Sequence, residues 1–247
     1  MQIAACSCRF SLLVPYMAER RNMSEKIYAV AIDGPAGAGK STIAKRLSSG
    51  LGVIYVDTGA MYRAMALYMI KKGISAEDNE GVGKACQDAD ISIDFADGEQ
   101  VVLLNGENVN GLIRTEEVSR MASITSKNPE VRTKLVELQR KLAKSKSVVM
   151  DGRDIGTVVL PDAKVKIYLT ASSAVRAKRR YDELTAKGEK CDLAEIEADI
   201  IERDERDMNR EIAPLKQADD AVLVDTSDMG IDEVHRRLLD IVNERIG

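Results

Sequence analysis

The 247-residue sequence contains a single histidine, His235, and no tryptophan. We therefore expect no Ser-His or Cys-His catalytic pair and no site where several histidines bind a metal. Cysteine is also scarce: Cys6, Cys8, Cys86 and Cys191 form no C-x-x-C pair and are interpreted as reduced, mostly structural thiols. These absences favour a chemistry that needs neither imidazole nor thiolate.

Long apolar runs are lacking too, because charged residues interrupt even the most hydrophobic segments within about ten residues. No membrane association is predicted, and a cytoplasmic protein is the simplest expectation. The 36 basic and 40 acidic residues give a net charge of −4, which does not indicate a nucleic-acid polymer as partner. Arginines do cluster in the second half, so a local pocket for small anions is compatible with this balance.

The sequence does contain a glycine-rich loop between the apolar run 27–33 and a helical pattern, with the sequence Gly34-Pro35-Ala36-Gly37-Ala38-Gly39-Lys40-Ser41-Thr42. Its three glycines let the backbone curl so that successive N–H groups point at phosphate oxygens, and the helix start adds its positive end. Lys40 is predicted to reach the β- and γ-phosphates of a nucleotide, and Ser41 to offer its hydroxyl to Mg²⁺. Thr42 can make further polar contacts at the helix start.

Five short apolar runs, at 27–33, 53–57, 147–151, 164–170 and 221–226, are mostly separated by helical patterns. This alternation predicts an α/β fold with a five-stranded parallel sheet and helices on both faces. Such sheets bind ligands beyond the carboxyl ends of their strands, where Asp33, Asp57, Asp151 and Asp225 fall. Capping of turns would explain about half of these aspartates, but Asp33 and Asp151 also flank the predicted phosphate site.

About 90 residues separate the second and third runs, more than one crossover helix needs. Alternating segments at 91–95, 100–106 and 107–111, with a turn at Asp97-Gly98, predict a small antiparallel β subdomain inserted at 84–125. The core then comprises 25–83 and 126–247, with a helix running from Pro129 through Leu142. Residues 1–24 precede a natural start at Met23-Ser24-Glu25-Lys26, and we expect a disordered extension or an overlong start assignment there.

Arginines mark two further helical segments. Arg176, Arg179 and Arg180 lie at i, i+3 and i+4, which suits a lid that stabilises phosphoryl transfer, although a solvated basic face has the same pattern. Arg203, Asp207 and Arg210 are predicted to share one face of a later helix, either as a site or as a simple ion-pair ladder. Its buried face is predicted to carry Ile196, Ile200, Met208 and Ile212. A break at 186–190 separates the two helices.

Two charged rims follow strands of the predicted sheet. The segment Asp151-Gly152-Arg153-Asp154 comes directly after the third run. A simple turn would explain Asp-Gly but not the adjacent Arg-Asp, which adds a charge of each sign. Thr58 and Arg63 follow the second run and enter a helix, so Arg63 could face a second phosphate. The sequence thus predicts two phosphate-binding halves at one edge of the sheet.

Together these motifs resemble those of the bacterial cytidylate kinases, members of the nucleoside monophosphate kinase family. The resemblance spans residue 27 to the C-terminus and is carried by segments 33–42, 57–63, 151–159, 161–163 and 203–210. It implies a P-loop kinase fold in which the inserted subdomain binds the nucleoside monophosphate and a lid lies around 172–192. It also implies ATP-dependent phosphorylation of CMP and dCMP to CDP and dCDP, with Mg²⁺ as cofactor, in pyrimidine nucleotide metabolism.

The acceptor-binding residues implied by this resemblance are Thr58, Arg63, Ser123, Arg132, Arg153, Asp154, Arg203, Asp207 and Arg210. Arg63, Arg153 and Arg210 would hold the α-phosphate, and Ser123, Arg132 and Asp154 would read the cytosine edge. A carboxylate at 154 accepts a hydrogen bond from the exocyclic amine of cytosine, whereas the carbonyl of uracil would leave it unpaired. Arg203 and Asp207 would hold the ribose. Thr58 stands where serine is also common in the family.

The same resemblance assigns catalysis to Lys40, Arg153, Arg179 and Arg180, and ATP binding to the loop 34–42 together with Arg176. Mg²⁺ would be held by Ser41 and, through water, by Asp151. A monomer is the simplest expectation for the assembly. Two alternatives are a different P-loop kinase, acting on another monophosphate or on an alcohol such as shikimate, and a GTPase-type switch. The inserted subdomain and the Gly-Arg-Asp rim disfavour the small alcohol, and an Asn/Thr-Lys-x-Asp guanine-reading motif is missing from the sequence.

Overall fold

The computed structural model describes residues 27–96 and 99–246. In chain order the elements are β1 (Ala29–Asp33), α1 (Lys40–Leu51), β2 (Ile54–Asp57), α2 (Thr58–Lys71), α3 (Asn79–Cys86), β3 (Ile91–Ala96), β4 (Glu99–Leu104), β5 (Glu107–Asn108), α4 (Glu116–Thr125), α5 (Pro129–Ser145), β6 (Val148–Gly152), a short π-helix (Ile155–Val159), β7 (Val165–Thr170), α6 (Ser173–Ala186), α7 (Leu193–Met208), β8 (Val222–Asp225) and α8 (Ile231–Ile246).

The central sheet has five parallel strands in the order β2-β6-β1-β7-β8, which confirms the predicted sheet. Four of the strands are one or two residues shorter than the apolar runs, whereas β6 has the length of its run but is shifted by one residue and continues to Gly152. In the register of the sheet, Asp33 lies beside Gly152 and Tyr168, and Asp57 lies beside Asp151. Three strand-ending aspartates therefore meet at one edge of the sheet.

Apolar side chains cover both faces of this sheet. One face packs its Ala31 and Met150 against buried residues of α2 and α5, such as Met65 and Leu135. The opposite face packs residues such as Leu169 against α1 and α8, whose fully buried members include Leu47 and Leu238. Helices on both faces leave only the strand ends for a ligand, as expected for a doubly covered parallel sheet.

The predicted insertion is a three-stranded antiparallel sheet in the order β3-β4-β5. Its Gln100 side chain accepts a hydrogen bond from the backbone N–H of Asp57 at 2.7 Å and donates to the Asp57 carbonyl at 3.3 Å. Since β2 is an edge strand, the Gln100 amide takes the place of a neighbouring strand at that point. The turn predicted at Asp97-Gly98 lies outside the described residues, and the limits 84–125 for the insertion remain a prediction.

The two arginine-bearing helices are separated as predicted. After α6 the chain turns at Gly188, whose φ is +78°, and Asp192 caps α7 by accepting hydrogen bonds from two backbone N–H groups. The prediction for the end of α7 is wrong: the helix stops at Met208, so Arg210 lies beyond it. Beyond Ile200 the expected buried face is wrong as well, because Met208 and Ile212 are 48% and 41% exposed where the chain turns away from the helix.

Within the described ranges, no helix is long and apolar enough to cross a membrane. Of the four cysteines, Cys86 and Cys191 are free thiols. Cys6 and Cys8, like the extension predicted at 1–24, lie outside the described residues.

Candidate active site

A cavity of about 500 Å³ opens at the carboxyl edge of the sheet. The predicted site residues that line it are Ala36, Gly37, Gly39, Lys40, Ser41, Thr42, Thr58, Arg63, Ser123, Arg132, Asp151, Arg153, Asp154, Arg176, Arg179, Arg180, Arg203, Asp207 and Arg210. Gly34, Pro35 and Ala38 belong to the same loop but do not line this cavity. The fold thus brings the glycine-rich loop, both charged rims and the arginine-bearing helices around one space.

The glycine-rich loop wraps around the side chain of Lys40. Its Nζ donates a hydrogen bond to the Pro35 carbonyl at 2.7 Å, and the residue is 6% exposed. Gly37 and Gly39 have φ of +75° and +84°, a conformation that glycine adopts without strain, and α1 begins directly after Gly39. Burial, with Arg153 nearby, lowers the pKa of Lys40 to about 7. The loop therefore presents an ammonium group to which no carboxylate of the described part of the chain is hydrogen-bonded.

The carboxylate of Asp151 is held by two hydroxyl groups. Ser41 Oγ donates to one oxygen at 3.0 Å, and Tyr55 Oη donates to the other at 2.8 Å. Burial, with Asp57 adding to it, raises the pKa of Asp151 to about 6. A hydroxyl beside a buried carboxylate is a hard oxygen pair of the kind that Mg²⁺ prefers, and Mg²⁺ on a nucleotide commonly uses one or two protein oxygens besides phosphate and water. The side chains present therefore fit the predicted metal.

Each of the three arginines predicted to hold the acceptor phosphate is paired with a carboxylate. Arg63 contacts Asp57 at 3.1 Å, Arg153 contacts Asp207 at 2.8 Å, and Arg210 contacts Asp154 at 3.4 Å. Burial alone would raise the pKa of Asp207, but Arg153, with Arg203 and Arg210 farther away, outweighs it, and the pKa lies below its usual value. These carboxylates stabilise partly buried guanidinium groups that can instead bind an anion entering the cavity.

The predicted base-reading residues are also close together. Arg132 and Asp154 form a buried ion pair, and the Arg132 guanidinium lies 5.9 Å from the centroid of the Tyr62 ring. Ser123 Oγ is buried without a hydrogen-bond partner among residues 27–96 and 99–246, and Ser123 lines the cavity. This end of the cavity therefore combines a carboxylate, a guanidinium and an unpaired hydroxyl, the groups needed to bind the polar edge of a base.

Unlike Arg63, Arg153 and Arg210, Arg203 forms no ion pair among the residues that the structure describes. Its Nε is buried without a hydrogen-bond partner there, as is the Nε of Arg63. Burial and the neighbouring Arg153 lower the pKa of Arg203, while Asp207 opposes that effect. An incompletely paired buried guanidinium that lines the cavity is well suited to bind an anion or a hydroxyl oxygen.

The three arginines of the predicted lid have different environments. Arg176 is buried, donates to the carbonyls of Ala36 and Ala171 at 3.0 and 2.8 Å, and pairs with Asp204 at 2.6 Å. Arg179 donates to Thr226 O at 2.7 Å, whereas Arg180 forms a half-exposed pair with Glu183 at 2.9 Å. Arg176 thus connects the glycine-rich loop to α6 and α7, and Arg180 is the least constrained of the three.

A smaller cavity of about 240 Å³ adjoins the glycine-rich loop. Its walls include Ala38, Thr42, Arg179, Thr226 and Met229. A flat ring could lie between the Arg179 guanidinium and the start of α1, next to the loop that would bind its phosphates.

The residues that contact the site but were missing from the predicted set include Tyr55, Asp57 and Tyr62. Asp57 accepts hydrogen bonds from Arg63, from Arg114 at 3.3 Å and from the N–H of Ala60, so it both caps α2 and orients arginines. The sequence feature that could have identified Asp57 as a site residue is its position at the end of a predicted strand. Tyr55 precedes it by two residues and so points to the same side of β2, but its contact with Asp151 depends on the pairing of β2 with β6.

Comparison with known proteins agrees with this geometry. A family model described as cytidylate kinase matches residues 30–244. The chain is similar to curated cytidylate kinases from Caldicellulosiruptor bescii, with 51% identity over 86% of this chain and 94% of the relative, and from Carboxydothermus hydrogenoformans, with 49% identity over 87% and 97%. A third, from Shouchella clausii, is 48% identical over 89% of this chain and 97% of the relative.

Overlap with solved structures is weaker. A shikimate kinase from Acinetobacter baumannii is 16% identical, with a TM-score of 0.41, over 89% of this chain and 95% of that chain. A similarity this low carries no functional information. The family model and the curated relatives, in contrast, span most of the sequence, and every residue that lines the large cavity falls within the range 30–244 of the family model. The chain belongs to the cytidylate kinase family.

Proposed function

We propose that this protein transfers the γ-phosphoryl group of ATP to the α-phosphate of CMP or dCMP, giving ADP and CDP or dCDP. The observation that carries the proposal is a single cavity lined both by the glycine-rich loop and by the Arg132–Asp154 pair. The arginines predicted to bind the transferred and acceptor phosphates line the same cavity.

On the donor side, the backbone N–H groups of the loop 34–42 and the Lys40 ammonium bind the phosphates of ATP. The adenine occupies the 240 Å³ cavity, with Arg179 over one side. Ser41 and, through water, Asp151 would hold Mg²⁺, and the bound ion would supply positive charge to the phosphate oxygens. Arg176 holds the loop in shape through the Ala36 carbonyl.

On the acceptor side, Arg63, Arg153 and Arg210 exchange their carboxylate partners for the α-phosphate. Phosphate offers these guanidinium groups more charge than a carboxylate does, and it binds them in a bidentate manner. Asp207 is then free to accept a hydrogen bond from a ribose hydroxyl, with Arg203 beside it. Thr58, whose hydroxyl donates to the Asp151 carbonyl at 2.7 Å, borders the phosphate pocket.

The base is selected by Asp154. Its carboxylate accepts a hydrogen bond from the exocyclic amine of cytosine, while Arg132 and Ser123 bind the adjoining ring atoms. Uracil presents a carbonyl oxygen at the same place, which repels the carboxylate and leaves it unpaired. The site therefore favours CMP over UMP.

The reaction needs no general base, because the acceptor oxygen of a nucleoside monophosphate is already anionic near neutral pH. Positioning and charge stabilisation by Lys40, Arg153, Arg179 and Arg180 supply the acceleration. The single histidine agrees with this scheme: His235 lies on α8 with its Nε2 close to Gly50 of α1, outside the cavity.

The assignment of the base is tested by Asp154→Asn. We expect kcat/KM for CMP to fall about 10- to 100-fold, because a hydrogen bond to a charged group contributes about 1.5–3 kcal/mol, while the KM for ATP changes little. The CMP/UMP ratio of kcat/KM should fall with it. Asp182→Asn removes an exposed carboxylate paired with Lys178 on α6 and serves as the control, with both values unchanged. A folded Asp154→Asn enzyme that keeps the wild-type CMP/UMP ratio would contradict the assignment.

A further inference from the structure

We propose that Asp33, at the end of β1, is a positioning residue for the acceptor base: its carboxylate fixes the backbone that orients Asp154 and thereby contributes to the selection of cytosine. The inference rests on the role proposed above for Asp154. It concerns a residue that precedes the glycine-rich loop and that is 5% exposed.

Both oxygens of Asp33 accept hydrogen bonds from the segment that follows Asp154. Oδ1 accepts from the N–H of Ile155 and Oδ2 from the N–H of Gly156, each at 2.7 Å. The Asp154 carbonyl in turn accepts from the N–H groups of Val158 and Val159 at 2.9 and 3.1 Å. The backbone around Asp154 is therefore held from the strand side by Asp33 and from the other side by the π-helix.

Two adjacent N–H donors require an acceptor at each oxygen, which an ionised carboxylate provides and an amide does not. Charge-assisted hydrogen bonds of this kind are about twice as strong as neutral ones. Burial raises the pKa of Asp33 to about 6, and the two N–H groups oppose that rise. The buried charge is thus offset mainly by the segment that it positions.

The same segment has little space to move. A Cβ on Gly156 would lie 3.4 Å from Asp33 Oδ2 and 3.1 Å from Lys166 Cδ. A Cβ on Gly152 would lie 2.6 Å from Ile155 Cδ1. Because the turn is packed this closely, a substitution at Asp33 should change the orientation of Asp154 instead of being accommodated by small shifts of neighbouring side chains.

Asp33 does not act on the donor side by direct contact. Its two oxygens are occupied by backbone donors, and Lys40 Nζ donates to the Pro35 carbonyl instead. The hydroxyl of Ser41 donates to Asp151. The Asp33 charge does act on the Lys40 ammonium without a hydrogen bond, so we expect a small effect on ATP and a larger one on the acceptor base.

The test is Asp33→Asn, which keeps the shape of the side chain but directs its amide N–H₂ at one of the two backbone N–H groups. We expect kcat/KM for CMP to fall about 10-fold and the CMP/UMP ratio to fall about fivefold or more, as for loss of a charge-assisted hydrogen bond. The KM for ATP should stay within about twofold of the wild type. A merely structural role would instead lower thermal stability and affect both substrates alike.

A double-mutant cycle makes the test specific. In an Asp154→Asn background, Asp33→Asn should change the CMP/UMP ratio no further, because both substitutions remove the same discrimination. If Asp33→Asn does not fold, Gly156→Ala places a methyl group against Lys166 and Asp33 in the same turn and should show the same fall in the CMP/UMP ratio with an unchanged KM for ATP.

An unchanged CMP/UMP ratio in the folded variant, or a second fall added to that of Asp154→Asn, overturns the inference. Failure of the proposed function is distinguishable from this result, since the wild-type enzyme would then not prefer CMP, or Asp154→Asn would not lower that preference.

Discussion

Nine basic and five acidic side chains line the cavity, and most of its arginines contact a carboxylate. Arg63, Arg153 and Arg210 each contact a carboxylate, and Arg132 shares Asp154 with Arg210. Among residues 27–96 and 99–246, the hydrogen-bond partner of Lys40 Nζ is a backbone carbonyl, that of Pro35. Burying a charge without a paired counter-charge costs stability, so Lys40 is the residue at which the requirements of phosphate binding and of folding conflict.

Lys40→Met should therefore abolish most of the turnover and at the same time stabilise the unliganded protein. The pKa of Lys40 in the folded protein, about 7, lies below its value of 10.5 in the unfolded chain. Below about pH 7 both states are charged and the folded state carries the full cost of burial, which disappears as the pH rises toward 10. We expect a Tm increase of about 2–4 °C at pH 6.5, corresponding to about 1 kcal/mol, and a smaller increase at pH 9.

Thermal unfolding without nucleotides measures this effect. Lys45→Met, which removes an exposed ammonium five residues along the chain, should change neither activity nor Tm. A lower Tm for Lys40→Met at pH 6.5, or turnover close to that of the wild type, would reject this account of Lys40.

The sequence predicted the residue types of the site better than their contacts. Glycines, Lys40 and Ser41 could be identified because their roles follow from a local pattern. Arg176, Arg179 and Arg180 have one helical spacing, yet their partners are Ala36, Thr226 and Glu183. Only Glu183 belongs to the same helix, and local spacing does not encode the other two.

At the level of elements, the join between β1 and the glycine-rich loop is the most constrained point of the fold. Gly34 has φ of +147°, and a Cβ there would lie 1.9 Å from the carbonyl oxygen of Leu169 on β7. Glycine is required here both by conformation and by the close approach of the neighbouring strand. The start of the loop therefore packs directly against β7, which neighbours β1 in the sheet.

Gly34→Ala should destabilise the protein by about 3 kcal/mol or more, because a backbone carbonyl must move in addition to the strain at positive φ. Gly73→Ala is the matched control: φ is +67°, and no atom lies within 4 Å of the added Cβ. The control should cost only the conformational strain, about 1 kcal/mol. Equal losses in denaturant unfolding would show that the contact with β7 contributes nothing.

The pair Arg176–Asp204 joins α6, α7 and the glycine-rich loop in one contact. Both side chains are at least nine-tenths buried. Asp204→Ala leaves the guanidinium without a counter-charge and should destabilise the protein by about 3 kcal/mol. Glu202→Ala, which breaks the exposed pair with Arg206, should cost less than about 1 kcal/mol in the same unfolding assay. A loss of that small size for Asp204→Ala would show that the buried pair is not what joins these helices.

The end of α7 shows the limit of sequence patterns for elements. Arg203, Asp207 and Arg210 continue a helical spacing, but the chain leaves the helix after Met208 and Arg210 Nε donates to the Ala213 carbonyl. Arg210 still reaches Asp154 from this turn. Arg210 thus contacts the predicted site from a turn that follows α7, a position that helical periodicity does not predict.

In the whole molecule, one sheet edge joins two binding halves. The strand order places β2, β6 and β1 side by side, so Asp57, Asp151 and Asp33 meet there. The alternation of strands and helices was enough to predict the parallel sheet and its ligand-binding edge, and the alternating segments predicted the inserted sheet. The strand order and the docking of Gln100 on Asp57 depend on long-range packing, which no local pattern contains.

The central claim is that this cavity joins a triphosphate donor to a cytosine monophosphate acceptor. It is tested most directly by presenting the wild-type protein, with ATP and Mg²⁺, with CMP, dCMP, UMP, AMP and GMP in turn and measuring the diphosphate formed. The account predicts rapid conversion of CMP and dCMP. It also predicts a kcat/KM for UMP at least about 100-fold below that for CMP, because the Asp154 carboxylate disfavours the uracil carbonyl. Conversion of UMP as efficient as that of CMP, or no conversion of CMP, would contradict it.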